Sequence, residues 1–189
     1  MKKTTDIRVI RTQTQLLEAL NELIKTKPLS CISITELCIQ AGVNRNTFYY
    51  HYNNIYDLLE DNKNQLVKEL GEVIDVKKSR SKSTLVNICK TIKRHPNLMS
   101  ILISPNCELE YFNDIFGIAS EKARILEDKQ KDCSNSKDHL ICCYCNAGCN
   151  AVLCEWILNG MQESPEEIAD IISAASRIGP IKMLFPNEK

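Results

Sequence analysis

The sequence predicts an all-α protein: an N-terminal helix-turn-helix domain of three helices, joined to a C-terminal helical bundle. Apolar residues recur at intervals of three and four along most of the chain, which is the spacing of one helix face. The 189 residues include only six Gly and six Pro, few for a β-rich chain with many turns. Several segments also begin with residues that cap helix N-termini.

The stop and start signals of the first two helices lie close together. Apolar spacing predicts a helix over about 6–26, and Pro28 prevents its continuation. Ser33 then caps a second helix, with Glu36 in position to complete a capping box. Gly42 ends this helix in a tight turn, because glycine readily adopts a positive φ.

Two asparagines begin the next two helices. Asn44 caps a short third helix over about 45–50. Asn54 caps a fourth helix, with Asp57 in its first turn, and this helix runs to about residue 76. A helix, a short turn containing glycine and a second short helix together make a helix-turn-helix motif.

The rest of the chain keeps the helical pattern. The basic stretch KKSRSK at 77–82 is interpreted as a joint between domains. Ser164 and Pro165 mark the start of the last helix, as cap and first helical residue. Apolar spacing predicts five helices beyond the joint, over 83–94, 96–103, 107–131, 136–161 and 165–178.

The bulk composition is that of an ordinary globular protein, 43% hydrophobic and 25% charged. The longest apolar runs fall far short of the ~20 residues that span a membrane. The N-terminal MKKTTDIRVIR contains no hydrophobic stretch of a signal peptide. We therefore expect a cytoplasmic protein without membrane contact, whose ten cysteines are reduced.

The third helix is rich in polar aromatic and basic side chains, with NRNTFYYHY at 44–52. The second helix of a helix-turn-helix enters the major groove of DNA. Arg and Asn pair with base edges, whereas Tyr, Thr and His hydrogen-bond phosphates. Residues 1–52 contain seven Lys/Arg and four Asp/Glu, whereas residues 53–189 contain 17 and 20. The pattern therefore indicates a DNA-binding surface.

The sequence ITELCIQAGVNRNTFYYHYNNIYDLL at 34–59 resembles the N-terminal domain of the TetR family of transcriptional regulators. The resemblance covers about residues 8–60. It implies a homodimer that binds a palindromic double-stranded DNA operator. It also implies a domain organisation with DNA binding over 1–53, a connecting helix and joint over 54–80, and effector binding and dimerisation over 81–189.

The resemblance assigns DNA contacts to one set of residues: Ser33, Asn44, Arg45, Asn46, Thr47, Tyr49, Tyr50 and His51. Three of them are expected to face bases, namely Arg45, Asn46 and Tyr50. Ser33, Thr47, Tyr49 and His51 are expected to face phosphates. Phe48 and Tyr52 are expected to pack into the domain core with Leu37 and Val43.

One position departs from the family pattern. The family usually has Lys at the start of the fourth helix, where it contacts a phosphate, and this chain has Ile55. FYYHYNNIYDLL at 48–59 and EWILNGMQESPEEIADII at 155–172 are instead similar to a branch that includes the activator of a dihydroxyacetone kinase operon. Ile55 also leaves open a dimerisation module that has lost DNA binding.

The C-terminal domain is expected to supply the dimer interface and an effector pocket. The interface candidates lie on the last two helices: Ala147, Ala151, Cys154, Ile157 and Ile168. The pocket candidates are aromatic: Phe112, Phe116, Tyr144 and Trp156. Aromatic residues at helical spacing are more often plain core, so the ligand is unknown. A co-regulator protein is the alternative to a small-molecule effector.

Five cysteines fall between residues 142 and 154, and Cys142, Cys145 and Cys149 share one helix face. Packing is the favoured interpretation, because a buried free thiol behaves as a small hydrophobic group. Sensing of a soft metal or an oxidant is the alternative. Zinc-finger spacing is missing, so we expect no resident metal and no cofactor.

An enzyme is the rival class of function. The three histidines, His51, His95 and His139, have no nucleophile or metal ligand at a recognised spacing. The sequence also lacks a phosphate-binding loop, a G-x-S-x-G motif and an H-E-x-x-H motif. The sequence therefore predicts a regulator and not an enzyme.

Overall fold

The computed structural model describes residues 7–74, 81–107 and 136–179, without the side chains of residues 136, 138, 139 and 142. These ranges contain α-helices and one short 3-10 helix but no strand, which confirms the all-α prediction. The helices are α1 (Ile7–Ile24), the 3-10 helix (Leu29–Cys31), α2 (Ile34–Ala41), α3 (Arg45–His51), α4 (Ile55–Val73), α5 (Lys82–Arg94), α6 (Pro96–Leu102), α7 (Ser136–Leu158) and α8 (Pro165–Ile178).

The described residues form two compact units. The N-terminal unit consists of residues 7–65 and 97–107. The C-terminal unit consists of residues 66–74, 81–96 and 136–179. The domain boundaries at residues 53 and 80 stay a prediction. The joint at 77–82 lies largely outside the described residues, as does all but the first residue of the helix predicted over 107–131.

The core of the N-terminal unit is built from one apolar face of each helix. Burial of such faces is the main favourable contribution to folding. Its fully or almost fully buried side chains include Leu16, Leu20 and Ile24 of α1, Leu37 of α2, Phe48 of α3, Leu58 and Leu59 of α4, and Met99 and Ile101 of α6.

Asn106 joins the end of α1 to the 3-10 helix. Its side-chain Nδ2 donates to the carbonyl oxygen of Ile24 at 2.7 Å. Its own carbonyl accepts from the backbone N–H of Leu29 at 3.0 Å. Carbonyls at a helix C-terminus lack partners within the helix. The segment after α6 therefore completes the end of α1.

Three predicted helix features need correction, the first at α2 and the others at the ends of α7 and α4. At α2, the Ser33 hydroxyl accepts from the Glu36 N–H at 3.2 Å. The Glu36 carboxylate, however, binds Lys27 Nζ at 2.6 Å, so the predicted capping box is only half formed. A nearby ammonium group attracts a carboxylate more strongly than a neutral N–H does.

Helix α7 ends at Leu158, three residues before the predicted end. Gly160 and Met161 follow with φ of 77° and 54°. Left-handed backbone conformations stop an α-helix. The Met161 N–H donates to the Trp156 carbonyl at 2.8 Å, which closes the turn. Helix α4 also ends earlier than predicted, at Val73 and not near residue 76.

Lysines on α5 hold α8 and the turn before it in the C-terminal unit. Lys82 pairs with Asp170 at 2.5 Å, and Lys90 pairs with Glu166 at 2.7 Å. Lys93 Nζ donates to the carbonyl oxygen of Met161 at 3.0 Å. These exposed ion pairs orient the helices more than they stabilise them. The buried apolar side chains of this unit include Cys89, Ile92, Leu153, Trp156, Ile157, Ile168 and Ile172.

Within the described ranges, no helix combines the length and the apolar character that crossing a lipid bilayer requires.

The N-terminus of α8 gives a stability prediction. The Ser164 hydroxyl accepts from the Glu167 N–H at 3.2 Å, and the Glu167 carboxylate accepts from the Ser164 N–H at 2.8 Å. We expect Ser164→Ala to lower the free energy of unfolding by about 1 kcal/mol, because it removes a helix cap. Urea denaturation followed by circular dichroism measures this change.

Ser33→Ala is the matched control, because Ser33 caps α2 without a returned carboxylate bond. We expect it to cost less than Ser164→Ala, because the Ser164 hydroxyl also donates to the Glu167 carboxylate at 2.7 Å. Equal losses in the two variants would show that this second bond contributes nothing.

Candidate nucleic-acid interface

The turn between α2 and α3 is closed by backbone hydrogen bonds. Gly42 has a φ of 64°, and its N–H donates to the Ile39 carbonyl oxygen at 3.2 Å. The Val43 N–H donates to the Cys38 carbonyl at 3.0 Å. A residue with a Cβ is strained at this φ, so glycine allows the tight turn that joins the two helices.

Helix α3 begins at a capped N-terminus, as predicted. The Asn44 side-chain oxygen accepts from the Asn46 N–H at 2.8 Å. This cap satisfies one of the N–H groups that a helix start leaves without a partner. The NH2 group of Asn44 stays at an exposed position.

One side of α3 is buried in the N-terminal unit. Phe48 is fully buried, and Tyr52 retains only 6% of its exposure. Their rings lie 5.8 Å apart. The prediction that Phe48 and Tyr52 enter the core with Leu37 is confirmed, and Val43 is half-buried.

The predicted DNA contacts lie on the surface. Tyr50 is 83% exposed and Tyr49 is 48% exposed. His51 is half-buried. Large aromatic side chains are seldom left this open without a partner. The other members of the set are all exposed: Ser33, Asn44, Arg45, Asn46 and Thr47.

Neighbouring rings order these exposed side chains. The Arg45 guanidinium lies 5.9 Å from the centroid of the Tyr49 ring. The Tyr50 and His51 rings meet edge to face at 4.9 Å. A cation over a ring face and an edge-to-face ring pair are both attractive. The side chains are therefore partly ordered before any ligand binds.

A hydrogen bond to α1, which the sequence did not reveal, fixes the end of α3. Gln13 Nε2 donates to the Tyr52 hydroxyl at 2.7 Å. Burial raises the pKa of Tyr52, and the bond from Gln13 opposes that rise. The two residues lie 39 positions apart, and no local pattern links them.

The start of α4 explains the departure at Ile55. Ile55 is buried with 5% exposure, so its side chain belongs to the core. The polar groups here are Asn53, Asn54 and Asp57. The Asn54 side-chain oxygen accepts from the Asp57 N–H at 2.8 Å, so Asn54 caps the helix as predicted. The Asn53 side chain donates to the Asp57 carboxylate at 2.8 Å.

Of the four pocket candidates, the two that the structure describes lie apart. Phe112 and Phe116 lie outside the described residues. Tyr144 is 67% exposed, whereas Trp156 is buried and its indole N–H donates to the Glu163 carbonyl at 3.2 Å. Twelve residues of helix place the two roughly 18 Å apart along α7.

The interface candidates occupy two different environments. Ala147 and Ala151 are exposed, and Cys154 is half-buried. Ile157 and Ile168, in contrast, are buried within the C-terminal unit. The exposed residues continue a stripe that we call the outer face of α7: Leu140, Ile141, Tyr144, Ala147, Gly148, Ala151 and Leu158.

The cysteines of α7 also differ in environment. Cys143 is exposed, whereas Cys145 and Cys149 are half-buried. Burial raises the pKa of Cys149, and the neighbouring Cys145 adds to the rise. Burial alone raises the pKa of Cys154. The side chain of Cys142 lies outside the described residues.

Comparisons with known proteins agree with this architecture. Residues 79–177, more than half of the chain, match the TetR_C_8 family model, which describes a transcriptional regulator C-terminal region. No curated protein sequence matches significantly.

Two solved structures are similar in fold. The dihydroxyacetone kinase operon activator DhaS has a TM-score of 0.52 and 20% identity, covering 85% of this chain and 91% of its own. A tetR family transcription regulator from Shewanella sp. PV-4 has a TM-score of 0.53 and 15% identity, covering 86% and 95%. These low identities establish the shared fold alone.

The start of α4 gives a pH prediction. Hydrogen bonds from the Asn53 side chain and backbone hold the pKa of Asp57 below its ordinary value of 3.8. The stability that this carboxylate adds is therefore present above pH 3.8 and lost as pH falls through the lowered pKa. We expect the stability difference between wild type and Asp57→Asn to shrink on acidification.

The urea unfolding midpoints of wild type and Asp57→Asn, measured between about pH 5 and about pH 3, report this change. Glu72→Gln, at an exposed position near the other end of α4, is the control. A difference between wild type and Asp57→Asn that stays constant over this range would contradict the prediction.

Proposed function

We propose, from the premise that this chain belongs to the TetR family of transcriptional regulators, that it binds a palindromic DNA operator as a homodimer. In this proposal α3 enters the major groove. The chain acts as a cytoplasmic regulator, not as an enzyme, and its C-terminal unit controls DNA binding.

The two-sided character of α3 is the observation that carries the proposal. Phe48 and Tyr52 are buried on one side, whereas Arg45 and Tyr50 are exposed on the other. An exposed Arg can bond two acceptors of a guanine, and a Tyr ring with its hydroxyl suits a base edge or a phosphate. Tyr50 is 83% exposed, so its ring and hydroxyl can reach into a groove.

The phosphate contacts are proposed around this helix. Ser33 and Thr47 present exposed hydroxyls, and Tyr49 presents a half-exposed ring. Because the Asn44 cap uses the side-chain oxygen, its NH2 group is a donor for a phosphate. Ile55 is buried, so the lysine–phosphate contact of the family is replaced by neighbouring polar groups or lost.

The outer face of α7 is the proposed dimer surface. Leu140, Tyr144 and Leu158 are each more than 60% exposed there. Ala147 and Ala151 lie between them and permit a close approach of two helices. Exposed apolar patches of this kind mark association surfaces. A twofold dimer would place two α3 helices one DNA turn apart, ~34–36 Å. Ile157 and Ile168 then support the surface from behind.

Control by an effector is proposed at the C-terminal unit. A ligand shifts DNA binding only if it prefers one conformation of the dimer. Because Tyr144 belongs to the outer face and Trp156 to the interior, an effector does not contact both within one protomer. A co-regulator protein that docks on this unit is the alternative form of control.

The test of DNA binding uses the purified full chain and fluorescent duplexes. Binding of the protein to the region upstream of its own gene is compared with binding to a scrambled duplex, by anisotropy at two salt concentrations. Selective binding that weakens with salt supports the proposal, because phosphate contacts release counterions. Equal, weak binding to every duplex would oppose it.

Two substitutions on α3 test the assigned contacts. We expect Arg45→Ala and Tyr50→Ala each to weaken operator binding about tenfold or more, since a base contact is worth ~1–3 kcal/mol. Both side chains are exposed, so circular dichroism and the unfolding midpoint should stay unchanged. Anisotropy titrations with the operator measure the loss.

Arg177→Ala removes an exposed arginine from α8 and is the matched control. Tyr50→Phe separates the contribution of the hydroxyl from that of the ring. Unchanged affinity in both alanine variants would exclude α3 as the reading helix.

One substitution on the outer face tests the dimer. We expect Ala147→Glu to convert the dimer to a monomer at micromolar concentration, because an interface would bury the new charge without a partner. Asn87→Glu places the same charge on an exposed position of α5 and should leave the dimer intact. Sedimentation velocity measures both masses, and a monomeric wild type would refute the proposed surface.

A further inference from the structure

We propose that Cys145 and Cys149 form a binding site for one thiophilic monovalent cation, Cu(I). This site goes beyond DNA binding and does not depend on it. It lies on α7 away from the exposed stripe that forms the outer face.

The helix places the two thiols side by side. Cys145 and Cys149 are four residues apart on α7, a spacing that brings Cβ atoms to about 5–6 Å. Both residues are half-buried. The neighbouring Cys145 also raises the pKa of Cys149 through its charge, as expected for two sulfur atoms close in space. A single cation between them would therefore have both ligands on successive turns of one helix.

Helix α8 also contributes to the proposed site. The Ser176 hydroxyl of α8 hydrogen-bonds the Cys149 thiol. It also donates to the Ile172 carbonyl at 2.8 Å, which holds its position. Leu153 and Trp156 follow Cys149 at helical spacing and are buried. The Cys149 thiol therefore lies against α8, and Cys145 lies one helical turn before it; both residues are partly accessible to solvent.

The donor set selects the cation. Thiolates favour soft ions such as Cu(I). A structural zinc ion needs four ligands, and no group of three His, Cys, Asp or Glu suited to a metal occurs in the part of the chain that the structure describes. Cu(I) accepts two thiolates in a linear arrangement, so this pair alone satisfies it.

Binding is a ligand exchange and not a redox reaction. Cu(I) leaves its carrier, two Cu–S bonds form, and the two thiols release their two protons to solvent. The copper enters reduced and stays reduced. Affinity should therefore rise with pH.

The experiment titrates the reduced full chain with Cu(I), without oxygen, against the chromophoric chelator bicinchoninate. We expect one Cu(I) per chain in the wild type. Cys145→Ala/Cys149→Ala should weaken binding at least tenfold. Cys143→Ala, on an exposed residue of the same helix, and Cys31→Ala, in the N-terminal unit, should leave it unchanged. Circular dichroism of each variant checks its fold.

Each result decides the proposal. Undiminished binding in the double alanine variant, or no competition with the chelator by the wild type, overturns it. If the double alanine variant unfolds, Cys145→Ser/Cys149→Ser, which keeps polar side chains of similar size, takes its place. Loss of binding in Cys142→Ala as well would show that the pair alone does not hold the cation, and it overturns the two-ligand site. Preferential retention of Zn(II) over Cu(I) refutes the choice of cation.

Discussion

The burial of Phe48 supports the rest of the proposed DNA-binding surface on α3. Helix α3 has seven residues, too few for a stable helix by itself in water. It persists because Phe48 is fully enclosed and because Asn44 caps its first turn. Tyr52 then fixes its last turn through Gln13 of α1. With one side held in this way, the opposite side carries Tyr50 into solvent.

How much the sequence could predict depends on how local the signal was. Asn44, Asn54 and Ser164 cap their helices as expected, because a cap involves residues within three positions. Glu36 differs from expectation because its carboxylate binds Lys27, which lies outside α2, and does not complete the predicted capping box. The Gln13–Tyr52 bond joins positions too distant for any pattern to show. Tertiary contacts, and not local propensity, decide the partners of Glu36 and of Tyr52.

Helix α7 marks the limit of periodicity as a signal. Apolar residues occur on all its sides, so the sequence does not indicate which side faces inwards. Ile157 and Ala151 were both candidates for an interface, yet one is buried and the other exposed. The buried side is set by α5 and α8, whose own amphipathic faces are clear. The proposed dimer surface was thus the hardest to predict.

The position of Asn106 determines how the protein can be divided. Residues 97–107 belong to the N-terminal unit although α5 precedes them in the chain. A fragment that ended at the joint near residue 80 would lose the partner of the Leu29 N–H and the donor to the Ile24 carbonyl. It would also lose the buried Met99 and Ile101. The N-terminal unit is therefore discontinuous in sequence, and the chain must be synthesised past α6 before that unit can complete its core.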